Sequence, residues 1–115
     1  MSIPVALPSL AEVMARYAFA YLLTGSERGA PRAVAVVPRL EGGILLIDAI
    51  GHRTRENLVA RPEVGLVWPP GAPGEYSLIV DGLAALDGGK LRIAPSRAVL
   101  HRPGRRSEPP KSGTC

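Results

Sequence analysis

The apolar residues of this chain fall in short runs separated by glycine- and proline-rich turns. That spacing predicts strands rather than long helices. "FAYLLTG" (Phe19 to Gly25) reads as a first strand and "RAVAVVP" (Arg32 to Pro38) as a second. The second closes on a proline, which cannot continue a central ladder. Gly42 and Gly43 then supply a hairpin turn. "ILLIDAI" (Ile44 to Ile50) is a third strand, apolar enough to predict burial on both faces, with Asp48 as the one acid inside it. "EVGLVW" (Glu63 to Trp68), "YSLIVDGLAAL" (Tyr76 to Leu86) and "KLRIAPSRAVLHR" (Lys90 to Arg102) complete six strands. Gly82 marks a bulge in the fifth, and Pro95 bends the sixth.

Two stretches carry helical spacing instead. In "PSLAEVMARYA", Ser9 and Glu12 fit the capping box, and Leu10, Val13, Met14 and Tyr17 repeat at helical intervals. "HRTRENLVARP" predicts a second short helix, ended by Pro62. Six short strands with two short helices predict a mainly β fold, a small antiparallel barrel or sandwich, of which a barrel removes exposed edges. The barrel occupies residues 1–102, and residues 103–115 form a mobile basic tail.

Charge sharpens this picture. The 115-residue chain has a formal net charge of +4. From Arg102 onward four basic residues stand against one acid, while residues 1–101 hold ten basic and nine acidic residues. The excess sits in the tail, so the body lacks the basic stripe of a nucleic-acid binder. Aromatics make up 4% of the chain, which leaves few platforms for stacked bases. No apolar run approaches the roughly 18 residues of a membrane span. Pro4, Pro8 and Glu12 interrupt any secretory core. The single cysteine, Cys115, excludes an internal disulfide and points to a reducing, cytoplasmic setting. No nucleic acid and no membrane is expected as a partner.

Candidate chemistry is sparse. His52 and His101 are the only histidines, and no cluster has metal-ligand spacing, so no metal is expected. No phosphate-cradling glycine loop follows a strand. Any chemistry here would borrow a cofactor. The second helix opens on His52, Arg53 and Arg55, cations where the helix dipole favours anions. Two readings stand. The arginines lie on a solvated face, or they and the free N–H groups of the first turn receive a phosphate. Arg32, at the start of a strand, allows the same two readings. Asp48 either pairs with a nearby arginine or faces a polar site.

The pieces "RGAPRAVAVVP", "GGILLIDAI", "HRTRENLVARPEV" and "GLVW" follow one another without a gap from Arg32 to Trp68, and "LIVDGLAAL…LRIAPSRAVLHRP" comes after them. In this order they resemble the pyridoxamine 5′-phosphate oxidase-like family of flavin-binding split β-barrels, over roughly Leu10 to Arg102. The resemblance implies a homodimer with flavin mononucleotide (FMN) at the subunit interface. It gives Arg32 a cofactor contact and runs the backbone of Val34, Val36 and Val37 along the isoalloxazine ring. It brings Ile47 and Asp48 to the ring and ribityl chain. Arg53 falls on the phosphate-binding arginine, Thr54 offers a hydroxyl where a second cation stands in the family, and Arg55 assists.

Some positions depart from the family. Val37 stands where the true oxidases have lysine, Asp48 replaces a neutral hydroxyl, and the C-terminal segment that grips pyridoxal phosphate is missing. The resemblance therefore implies an FMN-binding oxidoreductase acting on a small molecule, with no catalytic residue identified. Two alternatives remain: a barrel using a deazaflavin coenzyme, and a non-enzymatic dimerisation barrel without cofactor.

Overall fold

Alternating burial, the mark of a strand with one face on a core, recurs along the chain. A computed structural model describes residues 1–27 and 29–104. The strands are β1 (Ser2–Val5), β2 (Ala20–Thr24), β3 (Arg32–Val36), β4 (Arg39–Glu41), β5 (Ile44–Ile47), β6 (Glu63–Trp68), β7 (Ser77–Asp87) and β8 (Lys90–His101). A 3₁₀ turn (Leu7–Ser9) leads into α1 (Leu10–Met14), and α2 (His52–Ala60) joins β5 to β6. The sheet order is β3-β2-β6-β7-β8-β5-β4, with β1 added on β8. Every pairing is antiparallel. Inward residues of the sheet, among them Leu22, Leu45, Leu66, Val80 and Ile93, meet Leu10 and Val13 of α1 and Leu58 of α2 in one core. Each such side chain contributes about 1.5–3 kcal/mol by leaving water.

Two strands exceed the six that the sequence predicts, and both are short. β4 forms a hairpin with β5, turned by Gly42 and Gly43 at φ 58° and 80°. β1 lies along Ala98–His101. Its start is fastened by the Met1 ammonium donating to the Arg102 carbonyl and the Arg102 N–H donating to the Met1 carbonyl, both at 3.1 Å.

Four expectations need correction. β5 stops at Ile47 and buries alternate residues, Leu45 and Ile47, so it is not covered on both faces. Asp48 lies past its end, 65% exposed, where Arg39 Nη2 donates to it at 2.8 Å. Ser9 makes no side-chain cap, and α1 is a five-residue helix, because a proline-containing 3₁₀ turn already leads into it. Among the described residues the sheet curls but does not close, with β3 and β4 as its edges. The Gly82 irregularity lies where predicted, yet the extra residue is on the partner strand. Asp81 pairs with Arg97 and Gly82 with Pro95, leaving Ser96 unpaired opposite them. That bulge accommodates Pro95 inside the sheet.

Among the described residues no helix is long and apolar enough to cross a membrane. Most of the basic tail predicted from residue 103, including Cys115, lies outside the described residues.

Candidate functional site

The second helix has no capping side chain. Gly51 precedes it in an extended conformation, and its first turn contains no acid. Two flanks of α2 then serve different ends. Thr54 and Leu58, one turn apart, face the core. Arg53, Glu56 and Asn57 share another flank, and across from them stand Ser26, Ala30 and Arg32 from the β2–β3 connection and the first residue of β3. Together these six residues line a cavity of about 230 Å³.

The cavity is tied to the sheet. Asn57 Nδ2 donates to Thr24 Oγ1 at 3.0 Å. Thr24 is buried at the end of β2, directly opposite Arg32 in the β2–β3 ladder. The Ser26 hydroxyl donates to the Ala30 carbonyl at 3.3 Å and holds the intervening loop. Arg32 and Arg53 thus approach one space from different elements. Among the described residues neither is in an ion pair. Glu56 Oε1 lies 2.6 Å from His52 Nε2, one turn back along the helix, and not against Arg53.

The other predicted site residues are dispersed. Thr54 is 2% exposed and absent from the cavity wall, so its hydroxyl is not offered to a ligand there. Burial on the Leu58 flank is the reason. Arg55 is turned the other way, its Nη2 donating to the Gly88 carbonyl at 3.1 Å. Gly51 and His52 do not line the cavity either, so the space lies along the side of α2 rather than over its N-terminus. Val34 and Val36 are half-buried on β3, and Val37, just beyond it, is 72% exposed. Ile47 belongs to the core. Asp48 is held by Arg39 on the β4–β5 hairpin. Ser26, Glu56 and Asn57 were not among the predicted residues. Helical spacing from Arg53 points to the last two, whereas Ser26 joins them only through the folding of a loop.

Two guanidinium groups suit a phosphate, which takes charge-assisted, often bidentate bonds, while Glu56 in the same wall opposes an anion. The volume lies below the roughly 300–1,000 Å³ of pockets that enclose a whole ligand. It fits a phosphate, with any attached ring system outside. Next to it runs β3, whose outer edge pairs with no strand among the described residues. Tyr21 and Leu23 of the neighbouring β2 are exposed.

A second cavity, of about 320 Å³, lies between α1, the β6–β7 loop and the end of β8. The Tyr17 hydroxyl donates to the Tyr76 carbonyl at 2.8 Å there. Burial pushes the Tyr17 pKa above its ordinary value; Arg16 opposes the shift and Glu75 adds to it. The Arg102 guanidinium lies 4.6 Å above the Tyr76 ring. Among the described residues no group of His, Cys, Asp and Glu is arranged to hold a metal.

No family model matches the sequence. The chain is 40% identical to an uncharacterized protein of Mycobacterium bovis, the match covering 95% of this chain and 88% of that protein. An uncharacterized protein of Mycobacterium tuberculosis matches with the same identity and coverage. Solved structures share the fold at much lower identity. A pyridoxamine 5′-phosphate oxidase candidate from Listeria innocua superposes with a TM-score of 0.68 at 14% identity, covering 82% of this chain and 96% of that one. An FAD-binding protein from Mesorhizobium loti gives a TM-score of 0.66 at 14% identity, covering 86% and 94%. An F420 reductase gives 0.62 at 15% identity, covering 76% and 93%. The fold is therefore the split β-barrel of pyridoxamine 5′-phosphate oxidase-like proteins.

Proposed function

This chain belongs to the family of the two mycobacterial proteins that it matches over nearly its whole length, and from its split-barrel fold we propose that it binds a flavin-type cofactor, FMN or a deazaflavin coenzyme, by the cofactor's phosphate. The convergence of Arg32 and Arg53 on one cavity carries this reading. Both arginines donate to the phosphate, and Asn57, braced by Thr24, keeps the α2 wall in register with β2. The solved structures that share the fold include proteins named for FAD and F420, which supports a cofactor of this chemical class.

The ring system would lie outside the cavity along β3, whose free edge offers backbone N–H and C=O groups. A second copy of the chain covers that ring in this reading. Tyr21, Leu23 and Val37 supply exposed apolar area for a homodimer contact. When bound, such a cofactor exchanges a hydride with a small-molecule substrate, which makes the protein an oxidoreductase. The residues of this chain bind the cofactor, orient it and exclude water, and a reducing cytoplasm is the setting we propose.

The test is uptake. Purified protein titrated with FMN or with a deazaflavin coenzyme should bind one of them. Arg53→Ala and Arg32→Ala should each weaken binding about tenfold or more, the worth of a hydrogen bond to a charged group. Uptake of neither by a folded protein would overturn the reading. It would leave the non-enzymatic dimerisation barrel, which the exposed Val37 and the buried Thr54, both uncharged, favour.

A further inference from the structure

The cavity between α1, the β6–β7 loop and the end of β8 is built around Tyr76. The Tyr76 carbonyl accepts from the Tyr17 hydroxyl at 2.8 Å, and the Tyr76 hydroxyl donates to Met1 Sδ at 3.1 Å. The Arg102 guanidinium lies 4.6 Å above the Tyr76 ring. Arg102 is fixed in turn through its backbone, which exchanges two hydrogen bonds with Met1. Arg16 and Glu75, the chain neighbours of Tyr17 and Tyr76, line the same space. Burial dominates the Tyr17 pKa, but both charges reach its hydroxyl: Arg16 lowers the pKa and Glu75 raises it. Neither Arg16 nor Arg102 forms an ion pair with Glu75. At about 320 Å³ the cavity is large enough to enclose a small ligand. It shares no lining residue with the cavity of Arg32 and Arg53.

A wall of one sign selects an ion of the other. This wall presents both signs, not paired with each other, beside a hydroxyl whose proton is already given to the Tyr76 carbonyl. That hydroxyl oxygen can only accept a further bond. We propose that the cavity binds a small zwitterion of amino-acid type. Its carboxylate takes N–H groups of Arg102 and Arg16. Its ammonium donates to the Glu75 carboxylate and the Tyr17 hydroxyl oxygen, and its side chain lies against Leu100. A guanidinium resting on a ring uses its flat face, which leaves its fork of N–H donors for a carboxylate. Neither half of such a ligand suits the wall alone. A plain carboxylate would meet Glu75, and a plain amine would meet the two arginines. The site does not depend on the cofactor at Arg32 and Arg53.

Three probes with one apolar chain separate the two charges: L-norleucine, hexanoate, which lacks the ammonium, and pentylamine, which lacks the carboxylate. Each is titrated into the isotope-labelled full chain, with residues 105–115 present, and followed by amide chemical shifts near neutral pH. L-Norleucine should shift the amides of Tyr17, Tyr76 and Leu100 in a saturable way. Hexanoate and pentylamine should each bind about tenfold or more weakly, the worth of a hydrogen bond to a charged group. Glu75→Gln should erase the advantage of L-norleucine over hexanoate, and Arg102→Gln its advantage over pentylamine. Neither residue belongs to the core, so the spectrum elsewhere should match the native chain. Hexanoate binding as tightly as L-norleucine would show a simple anion site, and pentylamine binding as tightly a simple cation site. Either result would overturn the inference. So would an absence of shifts at these amides with L-norleucine, or an advantage unchanged in both variants.

Discussion

Gly82 sits where β7 meets the bulged part of β8, and replacing it with alanine puts the packing of the barrel to a sharp test. A Cβ there would lie 2.7 Å from the Ala94 carbonyl oxygen and 2.7 Å from Ile93 Cγ2. The first is backbone within the β7–β8 ladder, and the second belongs to a fully buried side chain. Neither can step aside without moving its strand. Overpacking of this kind costs about 1–3 kcal/mol. Alanine gains back about 0.4–1 kcal/mol by restricting the unfolded chain. The net loss should be about 1–2 kcal/mol, or about 4–8 °C in Tm for a chain of this length. Gly65→Ala is the matched control. Its Cβ would meet only Leu23 atoms, at 3.8 and 3.9 Å, which is ordinary contact. It should be neutral or stabilising by up to about 1 kcal/mol. Urea and thermal unfolding at one fixed protein concentration measure both variants without interference from self-association. A Gly82→Ala variant as stable as the native chain would refute the close β7–β8 packing.

Three other substitutions probe separate parts of the molecule. Thr24→Val removes the buried acceptor of Asn57 and should destabilise by about 1–2 kcal/mol in urea unfolding. It should also weaken cofactor uptake without touching either arginine. Arg39→Ala removes the pairs with Asp48 and Glu41, all well exposed, and should change stability by less than about 1 kcal/mol. Tyr17 should make the fold sensitive to alkali. Its raised pKa keeps the folded state protonated where the unfolded chain ionises, so its contribution is intact below about pH 10 and is lost as pH rises through the folded value. Tyr17→Phe should flatten that alkaline limb of a stability–pH profile, while losing the bond to the Tyr76 carbonyl at neutral pH.

What could be read in advance depended on whether a feature was local. β6 runs from Glu63 to Trp68 as the sequence predicts, because prolines bound it on both sides. α2 likewise lies between Gly51 and Pro62. β1 escaped notice because its partner is at the opposite end of the chain and nothing in "SIPV" alone requires a strand. The apolar run of β5 hid its own end: Ile47 points into the core, and the chain leaves the sheet at the next residue, carrying Asp48 into solvent. The same divide runs through the site. Arg32 and Arg53 stood out by residue type and by resemblance, and they line the same cavity. Thr54 lies one turn before buried Leu58 and shares its flank, so helical spacing already carries its burial. Ser26 had no such signal. It reaches the cavity only because the β2–β3 connection folds against α2, a tertiary contact that no local pattern encodes.

The phosphate grip itself can be isolated from every other contact a flavin makes. Riboflavin and phosphorylated flavin share the ring and ribityl chain and differ in the group assigned to the cavity. Titrating both against the native chain, Arg32→Ala and Arg53→Ala measures the arginine–phosphate contribution alone. The phosphorylated ligand should bind the native chain more tightly and lose about tenfold or more in each variant, while riboflavin affinity stays unchanged. Equal losses for both ligands, or phosphorylated flavin binding undiminished in both variants, would contradict a phosphate site between Arg32 and Arg53.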